Sequence, residues 1–397
     1  MSDSLDVEKE LVARVDRLLV EHDPTTTDRL EFLRARFDSG LAWVHFPAGL
    51  GGLGLSRDVQ PVVDSRMEAA GAPDNSPRRI TIGLGMAAPT ILEHGTPEQR
   101  ERYLRPLWTG EEIWCQLFSE PGAGSDLAGL STSAVRDGNE WVVNGQKVWT
   151  SRAHNARWAI LVARTDPALP KHRGLTYFVC DMTDPGVDVR PLRQITGEAE
   201  FSEVFLSDVR IPDSARIGEV GGGWAVVRTT LDNERVSIGA RAARREDGII
   251  GRLSETWRTR PGGRTHELHH RVLAGWADAE VARVAAERQR QIIAAGQPGV
   301  EGSAAKLRFA RIAQQLSGIE LELLAEDGLL YSHWTMGRPD EPDMNGRDAG
   351  FRYLRAKGNS IEGGTSEILR NIVAERILGL PAEARTDTRT PWQELPR

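Results

Sequence analysis

Trp114-Cys115-Gln116-Leu117-Phe118-Ser119-Glu120-Pro121-Gly122-Ala123-Gly124-Ser125-Asp126 begins as a buried strand would and then becomes a run of small and turn-forming residues. Pro121 fixes one φ angle, while Gly122 and Gly124 admit backbone conformations that other residues avoid. Ala123 and Ser125 keep the segment thin, so its N–H groups can approach a ligand rich in anionic or carbonyl oxygens. A tight turn leaving a strand accounts for the same residues equally well. What the flanking sequence supplies decides between turn and cradle.

Downstream the apolar period is that of strands. Glu140-Trp141-Val142-Val143 and Lys147-Val148-Trp149-Thr150-Ser151 flank Asn144-Gly145-Gln146, which predicts a hairpin with its turn at Asn-Gly. Residues 158–164, 175–181 and 203–211 are further strands separated by Pro- and Gly-containing turns. Residues 114–219 therefore read as a central antiparallel β domain, a barrel or sandwich, bounded by Pro212 and the glycines at 218–223. Upstream, in residues 1–113, Leu11, Val15, Leu18 and Leu19, and then Leu30, Leu33 and Phe37, recur at helical spacing. Thr96 and Pro97 in Gly95-Thr96-Pro97-Glu98-Gln99 mark a helix start. From 220 to 380 the helical period returns, with helices near 274–294, 304–324 and 366–378; Thr365 caps the last, and Gly379 and Pro381 close it. The polar tail, 381–397, is expected to fray. The fold class is α+β multi-domain: helical domain, β domain, helical bundle.

Composition narrows the function. With 397 residues, 40% hydrophobic and 27% charged, the chain resembles an ordinary soluble protein, and its net charge of -7 argues against nucleic-acid or anionic-membrane partners. Cys115 and Cys180 lie in apolar surroundings without metal-ligand spacing, as reduced core thiols of a cytoplasmic protein would. Residues 1–17 are acidic and polar, unlike a signal peptide. Gly49-Leu50-Gly51-Gly52-Leu53-Gly54 fits a dinucleotide fingerprint, and Gly83-Leu84-Gly85-Met86-Ala87-Ala88 fits it loosely, but neither has the βαβ setting. They read instead as a loop and a close helix contact. His266-Glu267-Leu268-His269-His270 fits H-E-x-x-H without a convincing further ligand, and reads as a solvated helix start with no metal.

Three places carry candidate chemistry: the glycine segment, the strand ending at Ser151, and Ile361-Glu362-Gly363-Gly364-Thr365-Ser366-Glu367. The last puts a double glycine at a helix N-terminus, where orphan N–H groups favour a carbonyl or phosphate oxygen. Trp224, Val227, Leu231 and Ile238 form one helical stripe, with Glu234 beside it and Arg235 on its other flank. Glu234 there is either a general base made more basic by desolvation or half of an ion pair with Arg235 or a residue one turn away.

Taken together these motifs resemble the acyl-CoA dehydrogenase family over nearly the whole chain. Ser119-Glu120-Pro121-Gly122-Ala123-Gly124-Ser125-Asp126 is similar to its first signature, Lys147-Val148-Trp149-Thr150-Ser151 to its flavin-facing strand, and Glu203-Val204-Phe205-Leu206-Ser207-Asp208-Val209-Arg210-Ile211-Pro212 to the strand leaving the β domain. Gly363-Gly364-Thr365-Ser366-Glu367-Ile368 resembles the C-terminal signature, and Leu231-Asp232-Asn233-Glu234-Arg235 the pattern of the branch that keeps its catalytic glutamate on the first bundle helix.

The resemblance implies a C-terminal four-helix bundle, with FAD extended between it and the β domain. Gln116, Phe118 and Ser119 are then expected at the flavin ring, Gly124 and Ser125 at the phosphates, Trp149 and Ser151 near N5, and Thr365 and Glu367 as further cofactor contacts. Glu234 is expected to take the α proton of an acyl-CoA while the β hydrogen leaves as hydride to the flavin. Gly363 offers an N–H to the thioester carbonyl, and Ser125 and Arg235 are expected to contact substrate. Electrons would pass to an electron-transfer flavoprotein or similar acceptor. A same-fold oxidase or N-oxygenase and a largely non-catalytic partner subunit are the rival readings. The Phe-Gly pair usual on the second bundle helix is missing from 257–272, and Leu324-Ala325-Glu326-Asp327-Gly328-Leu329 stands where the family carries Gln and Gly-Gly. These departures point to an oligomer, homomeric or with a different subunit that completes the flavin contacts.

Overall fold

The computed structural model describes residues 2–239, 246, 248–294, 301–331, 334–339, 347–382, 384 and 387–396, the side chains of 2–5, 235–239, 293, 294 and 301 excepted. The N-terminal helices are α1 (Ser2–Glu21), α2 (Arg29–Asp38), α3 (Gln60–Ala69), α4 (Ala88–His94) and α5 (Pro97–Thr109). The apolar faces of the first three close over a satellite core that contains Leu11, Val15, Phe32, Leu41, Val63 and Met67. Thr96 caps α5 in a reciprocal box with Gln99, as its sequence predicts. The Gln99 amide also donates to the carbonyls of Ser214 (2.7 Å) and Arg216 (2.8 Å), which ties these helices to the end of the sheet.

The sheet consists of β1 (Trp114–Leu117), β2 (Ser133–Asp137), β3 (Glu140–Ser151), β4 (Trp158–Arg164), β5 (Leu175–Asp181), β6 (Val187–Leu192), β7 (Phe201–Pro212) and β8 (Arg216–Ile217). Its order is β6-β7-β3-β2-β4-β5-β8, with β1 beside β4. The expectation of a purely antiparallel domain is corrected here. β1 runs parallel to β4, Trp114 opposite Trp158, and β2 meets β4 in parallel at Ser133 and Arg164. The long connection through the glycine segment and the β2–β3 hairpin brings the chain back in its original direction.

The predicted Asn-Gly hairpin is a second correction. β3 continues straight through Asn144 and Gly145, and the β2–β3 turn lies at Asp137-Gly138-Asn139-Glu140. Glycine is needed at 145 for a different reason: a Cβ there would stand 2.7 Å from the Cα of Thr132. Asn144 spends its amide on the facing strand, donating to the Asp208 carboxylate (3.0 Å) and accepting from the Asp208 N–H (2.9 Å) at a register shift.

The C-terminal helices are α6 (Gly223–Gly239), α7 (Ile249–Thr259), α8 (His266–Ala294), α9 (Glu301–Leu324), α10 (Ala349–Gly358) and α11 (Ser366–Arg376). α9 is the axis against which the other five pack, and Leu253, Leu268, Leu316, Ile319 and Leu323 form the bundle core. On α6, Val226 and Val227 are buried in the main core that also holds Leu107, Trp114 and Tyr177, so this helix joins all three regions. The side chain of Ile238, the last of its predicted stripe, lies outside the described residues.

The tail does not fray over residues 387–396. The Trp392 indole donates to the Gly129 carbonyl (3.1 Å), the Arg164 guanidinium lies 4.2 Å from the Trp392 ring centre, and Asp387 pairs with Lys171 at 2.5 Å. Polar composition concealed one aromatic anchor. Among the described residues no helix is long and apolar enough to cross a membrane.

Candidate active site

The glycine segment leaves β1 and is fixed by a buried ion pair. Lys147 of β3 is fully buried, and its ammonium donates to the carbonyls of Phe118 (3.0 Å) and Val162 (3.0 Å) and to the Glu120 carboxylate (2.9 Å). Glu120 also accepts from the Ser131 N–H (2.7 Å), the Ser131 hydroxyl (2.9 Å) and the Thr132 N–H (2.9 Å). Burial pushes the Glu120 carboxyl up, but the Lys147 charge and these hydrogen bonds more than offset it and hold the group at about 2. Beyond this anchor, Gly122, Gly124 and Ser125 are exposed. Neither glycine sits at positive φ, and nothing lies within 4 Å of where its Cβ would stand. Their smallness keeps space clear; it does not serve an unusual backbone, as the sequence had suggested.

The strand ending at Ser151 is bonded to this segment. The Val148 N–H donates to the Ser119 carbonyl at 2.9 Å, next to the Lys147–Phe118 bond. Trp141, Val143 and Lys147 share the buried face of β3, and simple alternation would bury Trp149 with them. A register shift between Lys147 and Thr150 instead swings Trp149 out, with φ of +61° and 58% of its surface exposed, edge-on to Phe201 at 5.9 Å. Positive φ at a tryptophan is strained, the kind of backbone that packing maintains at ligand sites. The Thr150 hydroxyl is buried beside it with no partner among the described residues, and Ser151 is half-buried opposite Phe201. Gln116 lies half-buried on β1, and Phe118 is buried with its ring perpendicular to that of Tyr177 at 5.9 Å. The Tyr177 hydroxyl meets that of Thr230 at 3.0 Å, one helical turn before Glu234.

One side chain that sequence reading passed over is bonded to the double-glycine turn and lies within electrostatic reach of Glu234. Lys306 of α9 is buried, and its ammonium donates to the Gly364 carbonyl at 2.6 Å. Burial depresses its pKa, while Glu362 and Glu234 pull the other way, so both carboxylates lie within its electrostatic reach. Gly363 and Gly364 have φ of +63° and +93°, a left-handed pair that only glycine adopts readily. Glu362 is held by Arg355 (2.9 Å) and by the Asn359 amide (2.6 Å). Arg355 also reaches Glu200 at 3.5 Å, joining the bundle to the edge of the sheet beside Phe201. Thr365 caps α11 through the Ile368 N–H (3.2 Å), and Glu367 is exposed. The Arg235 side chain lies outside the described residues.

Sequence carried a signal for both buried lysines. Lys147 has the parity of Trp141 and Val143, and Lys306 falls in helical phase with the buried Ala310, Ala313 and Leu316. His266 and His270, of the H-E-x-x-H match, face each other at 3.1 Å on the exposed start of α8. Among the described residues no group of three candidate metal ligands is assembled.

Comparison with known proteins follows the same three regions. The family models for the acyl-CoA dehydrogenase N-terminal, middle and C-terminal domains match residues 7–111, 115–209 and 221–378. The chain is 42% identical over 353 residues to acyl-CoA dehydrogenase FadE34 of Mycobacterium tuberculosis, covering 87% of this chain and 45% of that protein, so it spans about half the length of that relative. It is 36% identical over 349 residues to acyl-CoA dehydrogenase IpdE1 of the same organism, covering 87% of this chain and 86% of that one. Among solved structures, the Tcur3481-Tcur3483 steroid ACAD superposes with a TM-score of 0.71 at 26% identity, covering 96% of this chain and 99% of that one. The ChsE4-ChsE5 complex from Mycobacterium tuberculosis gives 0.69 at 27% identity, with the same coverage.

Proposed function

Because the chain belongs to the acyl-CoA dehydrogenase family, an oxidoreductase family, we propose that it dehydrogenates an acyl-CoA thioester across its α and β carbons, using FAD. The observation that carries this reading is the Lys306 bond to the Gly364 carbonyl, with Glu234 within electrostatic reach of the same ammonium. In the proposed mechanism the Glu234 carboxylate takes the α proton. The Gly363 N–H donates to the thioester carbonyl, where negative charge develops as that proton leaves. Lys306 holds the turn through the Gly364 carbonyl and places a cation near the base. Ser125 and Arg235 are assigned to substrate.

The residues present fit a flavin. A strained, exposed tryptophan, an unpartnered buried hydroxyl at Thr150 and a small-residue segment with clear space beside it suit a flat ring with an anionic tail. Gln116, Phe118, Ser119, Trp149 and Ser151 would hold the ring, and Gly124, Ser125, Thr365 and Glu367 the rest. FAD, when bound, supplies the redox chemistry, accepting the β hydrogen with its electron pair. Anaerobic titration of the purified protein with CoA thioesters tests the reading. Bleaching of the yellow colour is expected; a flavin-loaded protein that no thioester bleaches would overturn it, and hydrogen peroxide at turnover rate would make it an oxidase.

Electrons then pass to an electron-transfer flavoprotein or similar acceptor in the cytoplasm. A second, different subunit is proposed to complete the flavin site. α8 exposes Leu273, Trp276, Val281 and Val284 in an arc of about 140° at 100° per residue, an apolar face suited to association. A homo-oligomer that holds one FAD per chain when expressed alone would sink the two-subunit proposal.

A further inference from the structure

A cleft of about 780 Å³ opens among the N-terminal helices and reaches the first bundle helix. Leu84, Pro89 and Asn233, the last a sequence neighbour of Glu234, are among its lining residues. Part of its lining is aromatic: Trp43 stacks on Phe46 at 4.3 Å and meets Trp108 edge-on at 6.3 Å. This volume and lining suit a ligand of drug-like bulk, and a short straight acyl chain would leave most of it empty.

The cleft also contains a polar station. The Arg57 guanidinium donates to His45 Nε2 at 2.9 Å, which leaves the ring proton on Nδ1. Nδ1 is buried and has no partner among the described residues. Burial first, and then the Arg57 charge, hold His45 down at about 4, so the ring is neutral at physiological pH. Arg57 pairs with no carboxylate among the described residues. The other cation of the cleft, Arg36, is neutralised by Asp64 at 2.6 Å, and Asp64 also accepts from Gln60 at 3.1 Å. Of the remaining acids lining the cleft, Asp74 accepts the Ser76 N–H at 2.9 Å and Glu68 is exposed on α3. The cleft thus combines an aromatic lining with a buried imidazole N–H that lacks an acceptor and an exposed guanidinium that lacks a countercharge among the described residues.

Resting on the dehydrogenase reading, we infer that the cleft receives the distal part of a bulky, ring-containing acyl group, and that Arg57 with His45 binds an acceptor oxygen of that group, a ketone or carboxylate, beside the aromatic lining. Hydrogen bonds to a charged donor of this kind discriminate by about 10- to 100-fold.

The test uses fused-ring acyl-CoA thioesters with a distal ketone, with a distal carboxylate, and with neither. The wild-type protein should favour an oxygenated thioester about 10- to 100-fold in kcat/KM, and the two oxygenated compounds separate ketone from carboxylate. R57Q should bring the preference to within about threefold, and R57K should restore part of it. Equal kcat/KM for all three thioesters, or a preference that R57Q leaves intact, overturns the inference. So does bleaching by a short straight acyl-CoA with none by any fused-ring compound, an outcome that leaves the dehydrogenase reading standing. Calorimetric binding of the same compounds reads the preference without turnover, so equal affinities refute it even if no thioester reduces the protein.

Discussion

Replacing Lys147 by methionine removes the ammonium that holds the glycine segment while nearly conserving volume. The three acceptors of that ammonium lose their donor, and the Glu120 carboxylate, 7% exposed, loses its countercharge. Breaking a buried pair from one side costs about 3–5 kcal/mol. Burial works against the pair from the other side, lowering the pKa of the Lys147 ammonium although Glu120 raises it, so the lower part of that range is expected. K147M is therefore expected to lose about 3–4 kcal/mol at pH 7. Because the folded carboxyl titrates below its unfolded value, its contribution is complete above about pH 4.5 and disappears as pH falls toward 2. The wild-type advantage over K147M should therefore narrow on acidification. Urea unfolding followed by tryptophan fluorescence between pH 2.5 and 7 measures it, with K147M/E120L expected to recover at least half of the loss. A deficit below about 1 kcal/mol, or one that does not change with pH, would refute the claim that this pair anchors the segment.

Other perturbations test separate parts of the structure. Gly145→Ala should cost about 1–3 kcal/mol by driving a methyl into the Thr132 backbone, read as a lower urea midpoint, whereas an Asn-Gly turn there would tolerate alanine. Trp392→Ala should lower the melting temperature through loss of its packing on Arg164 and Gly129, about 1–3 kcal/mol for a half-buried indole; an unchanged melt would mean that the tail contributes nothing. Lys306→Met should slow thioester-driven flavin reduction by about 10- to 1,000-fold while flavin stays bound, and stopped-flow bleaching reads it. Cys115 and Cys180 are fully buried, and burial with nearby Asp184 and Asp181 pushes the Cys180 thiol up to about 12, so a thiol reagent should label neither until the protein unfolds.

Periodicity made the order of helical, β and helical regions legible, and local cap chemistry located Thr96 and Thr365, because these depend on neighbours in sequence. The corrections arise where a distant partner decides. Asn144-Gly145 has ideal turn chemistry, but Thr132 and Asp208 claim those residues from other strands. The parallel pairing of β1 with β4 follows from the path of a long connection, which no window of sequence contains. Glu234 was visible as an acid at the edge of a stripe, while Lys306, bonded to Gly364 and within electrostatic reach of Glu234, carries a charge that apolar periodicity does not register. Its phase with Ala310 and Ala313 was the available clue. The exposure of Trp149 was illegible for a related reason: one bulge reverses the alternation of a strand, and only the facing strand records it.

The most direct test of the account is Glu234→Gln, a substitution that keeps shape and removes the base. The variant should purify yellow, with wild-type flavin content, and should not bleach anaerobically with a thioester that bleaches the wild-type protein. Bleaching at an undiminished rate would remove Glu234 from the mechanism and contradict the site described here.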